Sequence, residues 1–145
     1  MKGQILIFSF LAILCFSCSK EDKAAEKQIR ITTKIEPTPE WPNLILGQWE
    51  YIESCESSFI SDTFTCDSPF SYTYTFKTDA VVSTDRHLDC LEGNYDFKKD
   101  KLFIAFECVD LSFTAIVQSI TQDELILAFG GDDSVSFRVF RKNTN

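Results

Sequence analysis

The chain has one histidine, His87, in 145 residues. With no second imidazole, and no paired Cys-x-x-Cys spacing, a zinc centre is not expected. Glycine is scarce, with five in all, and nowhere do they form a phosphate-cradling loop or a dinucleotide fingerprint. No cofactor is therefore expected. No apolar run approaches the twenty or so residues of a membrane-spanning helix. Positive charge is short too. Residues 44–145 carry 8 Lys and Arg against 17 Asp and Glu, a net of −9, which argues against nucleic acid and against direct binding to anionic lipid. His87 sits between Arg86 and Leu88 in a connection, and no Ser-His-Asp or Cys-His arrangement surrounds it in sequence. Asp132-Asp133 follows Gly130-Gly131 and reads as a hairpin turn rather than a calcium loop. No catalytic residues are assigned, and an enzyme is not expected.

Aromatic residues and strand patterning are what the chain has in plenty. Residues 44–145 contain 16 aromatics. The organising stretch is Leu44-Ile45-Leu46-Gly47-Gln48-Trp49-Glu50-Tyr51. Gly47 stands where a loop enters a first strand, and the lack of a Cβ there permits close backbone approach. Trp49 shares its strand face and can plug one end of a barrel. Eight runs have strand character: 47–55, 70–77, 80–85, 91–97, 102–108, 111–120, 124–129 and 135–141. The cleanest alternation is Phe70, Tyr72, Tyr74 and Phe76 against Ser71, Thr73 and Thr75. Every connection after the loop 56–68 is short, and no helix-period segment lies between strands, so parallel crossovers are excluded. An antiparallel up-and-down meander of eight strands can close and remove both edges. The rival is an open sandwich of two four-stranded sheets.

Five motifs occur in order: Gly47-Gln48-Trp49; Tyr72-Thr73-Tyr74-Thr75-Phe76-Lys77-Thr78-Asp79; Gly93-Asn94-Tyr95-Asp96-Phe97 with Lys101-Leu102; residues 120–127; and Phe137-Arg138-Val139-Phe140-Arg141-Lys142. Residues 44–142 resemble the lipocalin-like domain of small Bacteroidota-type lipoproteins. The resemblance implies a calyx-type barrel, often with an apolar ligand site. The family usually places Gly after the Asp of the second turn; here the residue is Ala80. In lipocalins a basic residue of the last strand covers the tryptophan, and Arg138 and Arg141 are both candidates for it.

The first residues read as an address. Met1-Lys2 followed by the apolar run 5–16 has the form of a signal peptide over 1–17. Cys15-Phe16-Ser17-Cys18 resembles a bacterial lipobox, which implies cleavage before Cys18 and lipid attached to it; ordinary cleavage without lipid is the alternative. Ser19-Lys20-Glu21-Asp22 resembles the Bacteroidota surface-export signal, so an outer-membrane anchor facing the cell exterior is expected. Residues 18–43 read as a flexible tether. Ala24 to Ile31 has room for a helical turn or two but lacks a wide apolar face, and Pro37, Pro39 and Pro42 forbid a continuing helix. Such a coil reaches about 25–30 Å. Trp41 either caps the barrel or lies on its flank. The folded unit is expected over 44–145.

Export permits disulfides. With Cys15 and Cys18 assigned to the leader and the lipid, Cys55, Cys66, Cys90 and Cys108 remain. A three-residue turn at 98–100 sets Phe97 opposite Lys101, and the same register sets Cys90 opposite Cys108. Cys55 and Cys66 bracket the first loop. The pairs Cys55–Cys66 and Cys90–Cys108 follow.

If Tyr72, Tyr74, Phe76, Tyr95 and Phe97 all point inward, they are the candidate ligand-lining residues. They also consume much of the interior, favouring a filled barrel or a narrow pocket. Two function classes stand: a tethered, monomeric barrel binding a small apolar ligand, or a filled scaffold whose loops contact a protein or glycan partner.

Overall fold

The computed structural model describes residues 20–68, 70–86, 89–131 and 133–144. The leader 1–17, Cys18, His87 and Asp132 lie outside the described residues. Nine strands follow two helices, α1 (Lys20–Thr32) and α2 (Trp41–Leu44): β1 (Gly47–Ser58), β2 (Thr63–Asp67), β3 (Thr73–Phe76), β4 (Val81–Thr84), β5 (Glu92–Lys98), β6 (Lys101–Phe106), β7 (Leu111–Ile120), β8 (Glu124–Gly130) and β9 (Ser134–Lys142). A single 3-10 turn, Glu107–Val109, joins β6 to β7.

All neighbouring strands are antiparallel. β1 pairs with β3 from Gly47↔Phe76 to Glu50↔Thr73, each later strand pairs with the next, and β9 returns to β1 from Trp49↔Lys142 to Ser58↔Ser134. The continuous β1–β9 ladder closes an eight-stranded barrel of β1 and β3–β9 and rules out two separate sheets. β2 is an added strand within the stretch expected to be a plain loop. It pairs with the far half of β1, where Cys55 faces Cys66 directly, and those two are disulfide-bonded with Cα atoms 4.0 Å apart. The Cys90–Cys108 bond is present as well, with Cα atoms 5.7 Å apart, but the register is not the one expected. Lys98 opposes Lys101 across Lys99-Asp100, one residue tighter than a three-residue turn. Pairing ends at Asn94↔Ala105, and the 3-10 turn then carries Cys108 back to Cys90.

Side chains alternate between two apolar layers. The interior holds Trp49, Tyr51, Tyr72, Tyr74, Phe76, Leu102, Ile104, Phe106, Val117, Leu125, Leu127 and Phe140 among others. Gly93 faces this interior, and a Cβ there would meet the Ala105 carbonyl oxygen at 2.3 Å, so the residue must be glycine. A second layer lies on the outer wall: Cys55, Ile126, Ala128, Phe137 and Val139, closed over by Ile31 of α1.

Of the free coil expected over 18–43, the described residues 20–43 instead include a helix packed on the barrel wall. Ala, Glu, Lys, Gln and Arg are good helix formers, and α1 runs 13 residues rather than a turn or two. A helix this short is marginal alone. Ile31, with no exposed surface, anchors it. Around that anchor Lys27 pairs with Glu53, Arg30 with Glu124 at 2.7 Å, and Lys34 with Asp100. The bases of the expected tether thus meet acids of the barrel. Among the described residues no helix is long and apolar enough to cross a membrane.

The chain then reaches the barrel end formed by Gly47, the β3–β4 turn and the C-terminus of β9. α2 plugs this end. Trp41 stacks on Phe97 with centroids 6.5 Å apart, and the Trp49 indole N–H donates to the Ile45 carbonyl at 2.7 Å. The cation over Trp49 is Lys142, 4.9 Å from the ring centroid and donating to the Leu44 carbonyl at 3.1 Å. Neither Arg138 nor Arg141 takes that place. Gly47, at φ +113, brings its backbone against the Lys142 stem. Ala80 adopts φ 63, a left-handed conformation that glycine would take without strain.

Three outcomes follow. Ile31→Ala should lower stability by about 2–4 kcal/mol in urea unfolding and raise hydrogen exchange across α1. Removing any one of the three exposed ion pairs should cost no more than about 1 kcal/mol. Ala80→Gly should raise stability, by up to about 1 kcal/mol, because relief of left-handed strain outweighs the added freedom of the unfolded chain.

Candidate functional site

The opposite end of the barrel is open. Its floor is set by strand alternation. On β1, Trp49 and Tyr51 face inward; a bulge between Tyr51 and Glu53 then shifts the phase, so that Cys55 faces the outer wall and Ser54 the interior. On β9, Phe140 faces inward, and Arg138 and Ser136 follow on the same face. The segment before β3 is held against β1 by the Tyr51 N–H, which donates to the Tyr72 carbonyl at 2.8 Å. The loop after β4 brings in Asp85 and Arg86. These elements enclose a cleft of about 410 Å³ lined by Tyr51, Ser54, Phe70, Ser71, Tyr72, Asp85, Arg86, Ser136 and Arg138.

Below the cleft the barrel is filled. Tyr51 and Tyr72 lie 4.6 Å apart, Tyr72 meets Tyr74 edge-on at 5.4 Å, and Tyr74 packs on Phe140 at 5.9 Å and Phe106 at 6.3 Å. Phe76 and Tyr95 continue the column at 5.0 Å. Of the five candidate lining residues, only Tyr72 borders the cleft. Tyr74 lies under it and Phe76 belongs to the core. Tyr95 donates its hydroxyl to the Lys77 carbonyl at 2.7 Å near the closed end, and Phe97 stacks on Trp41 there. The filled-interior expectation is met except at the mouth.

Two features of the mouth stand out. The Tyr72 and Tyr74 hydroxyls are buried and, by geometry, have no hydrogen-bond partner among the described residues, although Arg86 and the Tyr72 hydroxyl both stand close enough to the Tyr74 hydroxyl to oppose the rise in its pKa. The Arg86 guanidinium carbon lies 5.0 Å from the Tyr72 ring centroid, and that of Arg138 lies 4.4 Å from the Phe129 ring. Among the described residues neither arginine is paired with a carboxylate. Asp85 is engaged elsewhere, accepting the Thr73 N–H at 2.6 Å. Arg141 is exposed on the outer wall, between Glu50 and Glu124 in the ladders.

Glu53, Cys55 and Cys66 converge, yet both sulfurs are committed to the disulfide and cannot act as thiolate ligands.

Tyr51, Phe70, Asp85 and Arg86 were not singled out from sequence as lining residues, although Phe70 opens the clearest strand alternation. Tyr51 carried a signal, since it stands two residues after Trp49. Arg86 carried none, because a residue in a loop has no periodicity.

No protein-family model matches this chain, and no curated protein matches it. A lipocalin-like protein from Bacteroides uniformis is similar in structure, with a TM-score of 0.48 and 18% sequence identity over 69% of this chain and 99% of that one. The closed barrel described above rests on the chain's own strand ladders.

Burial is the main cause that raises both phenols above their ordinary value of 10; for Tyr72 the neighbouring Tyr74 adds to the rise. The Arg86 and Arg138 charges oppose it without cancelling it. The folded state therefore keeps protons that the unfolded chain releases near pH 10. Stability should be level below that pH and fall as pH climbs beyond it. Tyr72→Phe should flatten the fall in alkaline unfolding curves, and absorbance at 295 nm should show the native phenols ionising late.

Proposed function

We propose that this protein is a binding barrel that takes a small, largely apolar molecule at its open mouth, held at the outer membrane by acylated Cys18 and facing the cell exterior. The observation that carries the binding reading is the cleft itself. It is the place where an otherwise filled barrel leaves room, and its walls combine aromatic faces with unmet polar groups. That combination of apolar lining with few, convergent polar groups is the usual make-up of a ligand site. The anchor rests on the leader-like run and the lipobox resemblance at Cys18, and the outward orientation on Lys20-Glu21-Asp22. The barrel works as a monomer and makes no use of nucleic acid, given its acidic charge.

A second reading is supported by Phe59 and Ile60. They stand exposed at the β1–β2 turn, and Phe59 borders an apolar groove of about 530 Å³ with Ile116, Val135 and Phe137. On that reading the loop end contacts a protein or glycan partner and the barrel is a scaffold.

Native mass spectrometry of the full chain purified from its own cells separates the two. A bound small molecule, lost on unfolding and on Tyr51→Ala, is expected; bare protein in every preparation would favour the scaffold. Cys18→Ser should release the protein from membranes, and unchanged membrane association would refute the anchor.

A further inference from the structure

We propose that the mouth is an anion clamp made by Arg86 and Arg138 with the Tyr72 hydroxyl, and that its ligand is a small aromatic carboxylate. This rests on the binding reading above and adds the ligand's chemical class.

Three observations converge. The buried Tyr72 hydroxyl, on a residue that lines the cleft, makes no hydrogen bond and is costly to leave so, and an incoming acceptor would satisfy it. Two guanidiniums line the same cleft and carry no carboxylate of their own among the described residues. A planar, forked guanidinium matches a carboxylate in two parallel hydrogen bonds. They stand in a chain of net charge −8, where unpaired cations at one cleft run against the general charge. A neutral apolar ligand would use neither the arginines nor the hydroxyl.

Size and shape narrow the class. The cleft's roughly 410 Å³ suits one or two rings. A long acyl chain has nowhere to go, because Tyr74, Phe106 and Phe140 fill the barrel directly beneath. Phe70, 97% exposed, offers a ring face at the rim instead, beside the small exposed parts of Tyr51 and Tyr72. The Asp85 carboxylate is the one opposing charge on the lining; it is turned to the Thr73 N–H, and Ser71 is engaged with Glu50 at 2.8 Å.

The test is calorimetric titration of the full chain with 2-naphthoate and with its uncharged analogue 2-naphthamide. The carboxylate should bind at least roughly tenfold more tightly, and only its affinity should weaken with added salt. Arg86→Gln and Arg138→Gln should each weaken 2-naphthoate by about tenfold and 2-naphthamide by less than about twofold, with Tyr72→Phe intermediate. Equal affinity for both probes, with no effect of either arginine, overturns the clamp and leaves a binding barrel. Neither probe binding, while native mass spectrometry finds a bound molecule, also overturns the clamp alone. Neither probe binding to a protein that is always bare overturns the clamp and the binding reading together. Should a variant fail to fold, the wild-type comparison of the two probes across salt decides.

Discussion

The ladder between β1 and β9 is the constraint on which the molecule depends. β1 is paired along both edges, with β9 on one side and with β3 and then β2 on the other. Without β9 the strands would form an open sheet with two exposed edges, and the inward aromatics would face water. With it, every interior side chain is enclosed and backbone groups of both terminal strands are satisfied. The bulge after Tyr51 belongs to the same ladder. One extra residue there sends Cys55 to the outer wall, where it can reach Cys66, and leaves Ser54 facing the mouth.

The two ends of the barrel are made differently from similar materials. At the closed end a cation, Lys142, lies over an indole and spends its hydrogen bond on the Leu44 carbonyl, while α2 and Trp41 shut out solvent. At the open end a cation also lies over an aromatic ring, but among the described residues Arg86 has no carboxylate partner and the Tyr72 hydroxyl beneath makes no hydrogen bond. The difference is one of completion.

Charge shows the same economy on the outer wall. The N-terminal stretch is basic where it meets the barrel, through Lys27, Arg30 and Lys34, and the barrel is acidic where it is met. Exposed pairs of this kind contribute little each. They orient α1, while Ile31 holds it. Through this contact residues 27–35 lie against the barrel wall rather than extending away from it.

Much of the barrel was legible because strands announce themselves locally. The alternation at Tyr72, Tyr74 and Phe76, the short turns, and the absence of helical periods between strands determine an antiparallel meander with these residues inside. The four cysteines were paired correctly, although the hairpin register behind one pair was off by one and the 3-10 turn absorbed the slip. Other features depended on contacts distant in sequence. α1 needed an apolar wall made by β1, β8 and β9 before its single isoleucine could anchor it. β2 needed the free far half of β1. Lys142 rather than Arg138 or Arg141 covers Trp49 because the bulge and the β1–β9 register decide which side chain stands over the ring. The mouth was least legible of all: Arg86 reaches it from a loop, Arg138 from the last strand and Tyr72 from before β3. Sequence alone determined an antiparallel meander with an aromatic interior, because period-two patterning is a property of adjacent residues; its closure, against an open sandwich, came from the β1–β9 ladder. Only the tertiary structure decided which end is open and which polar groups are left unmet there, because satisfaction of a buried group depends on neighbours that the chain brings from far away.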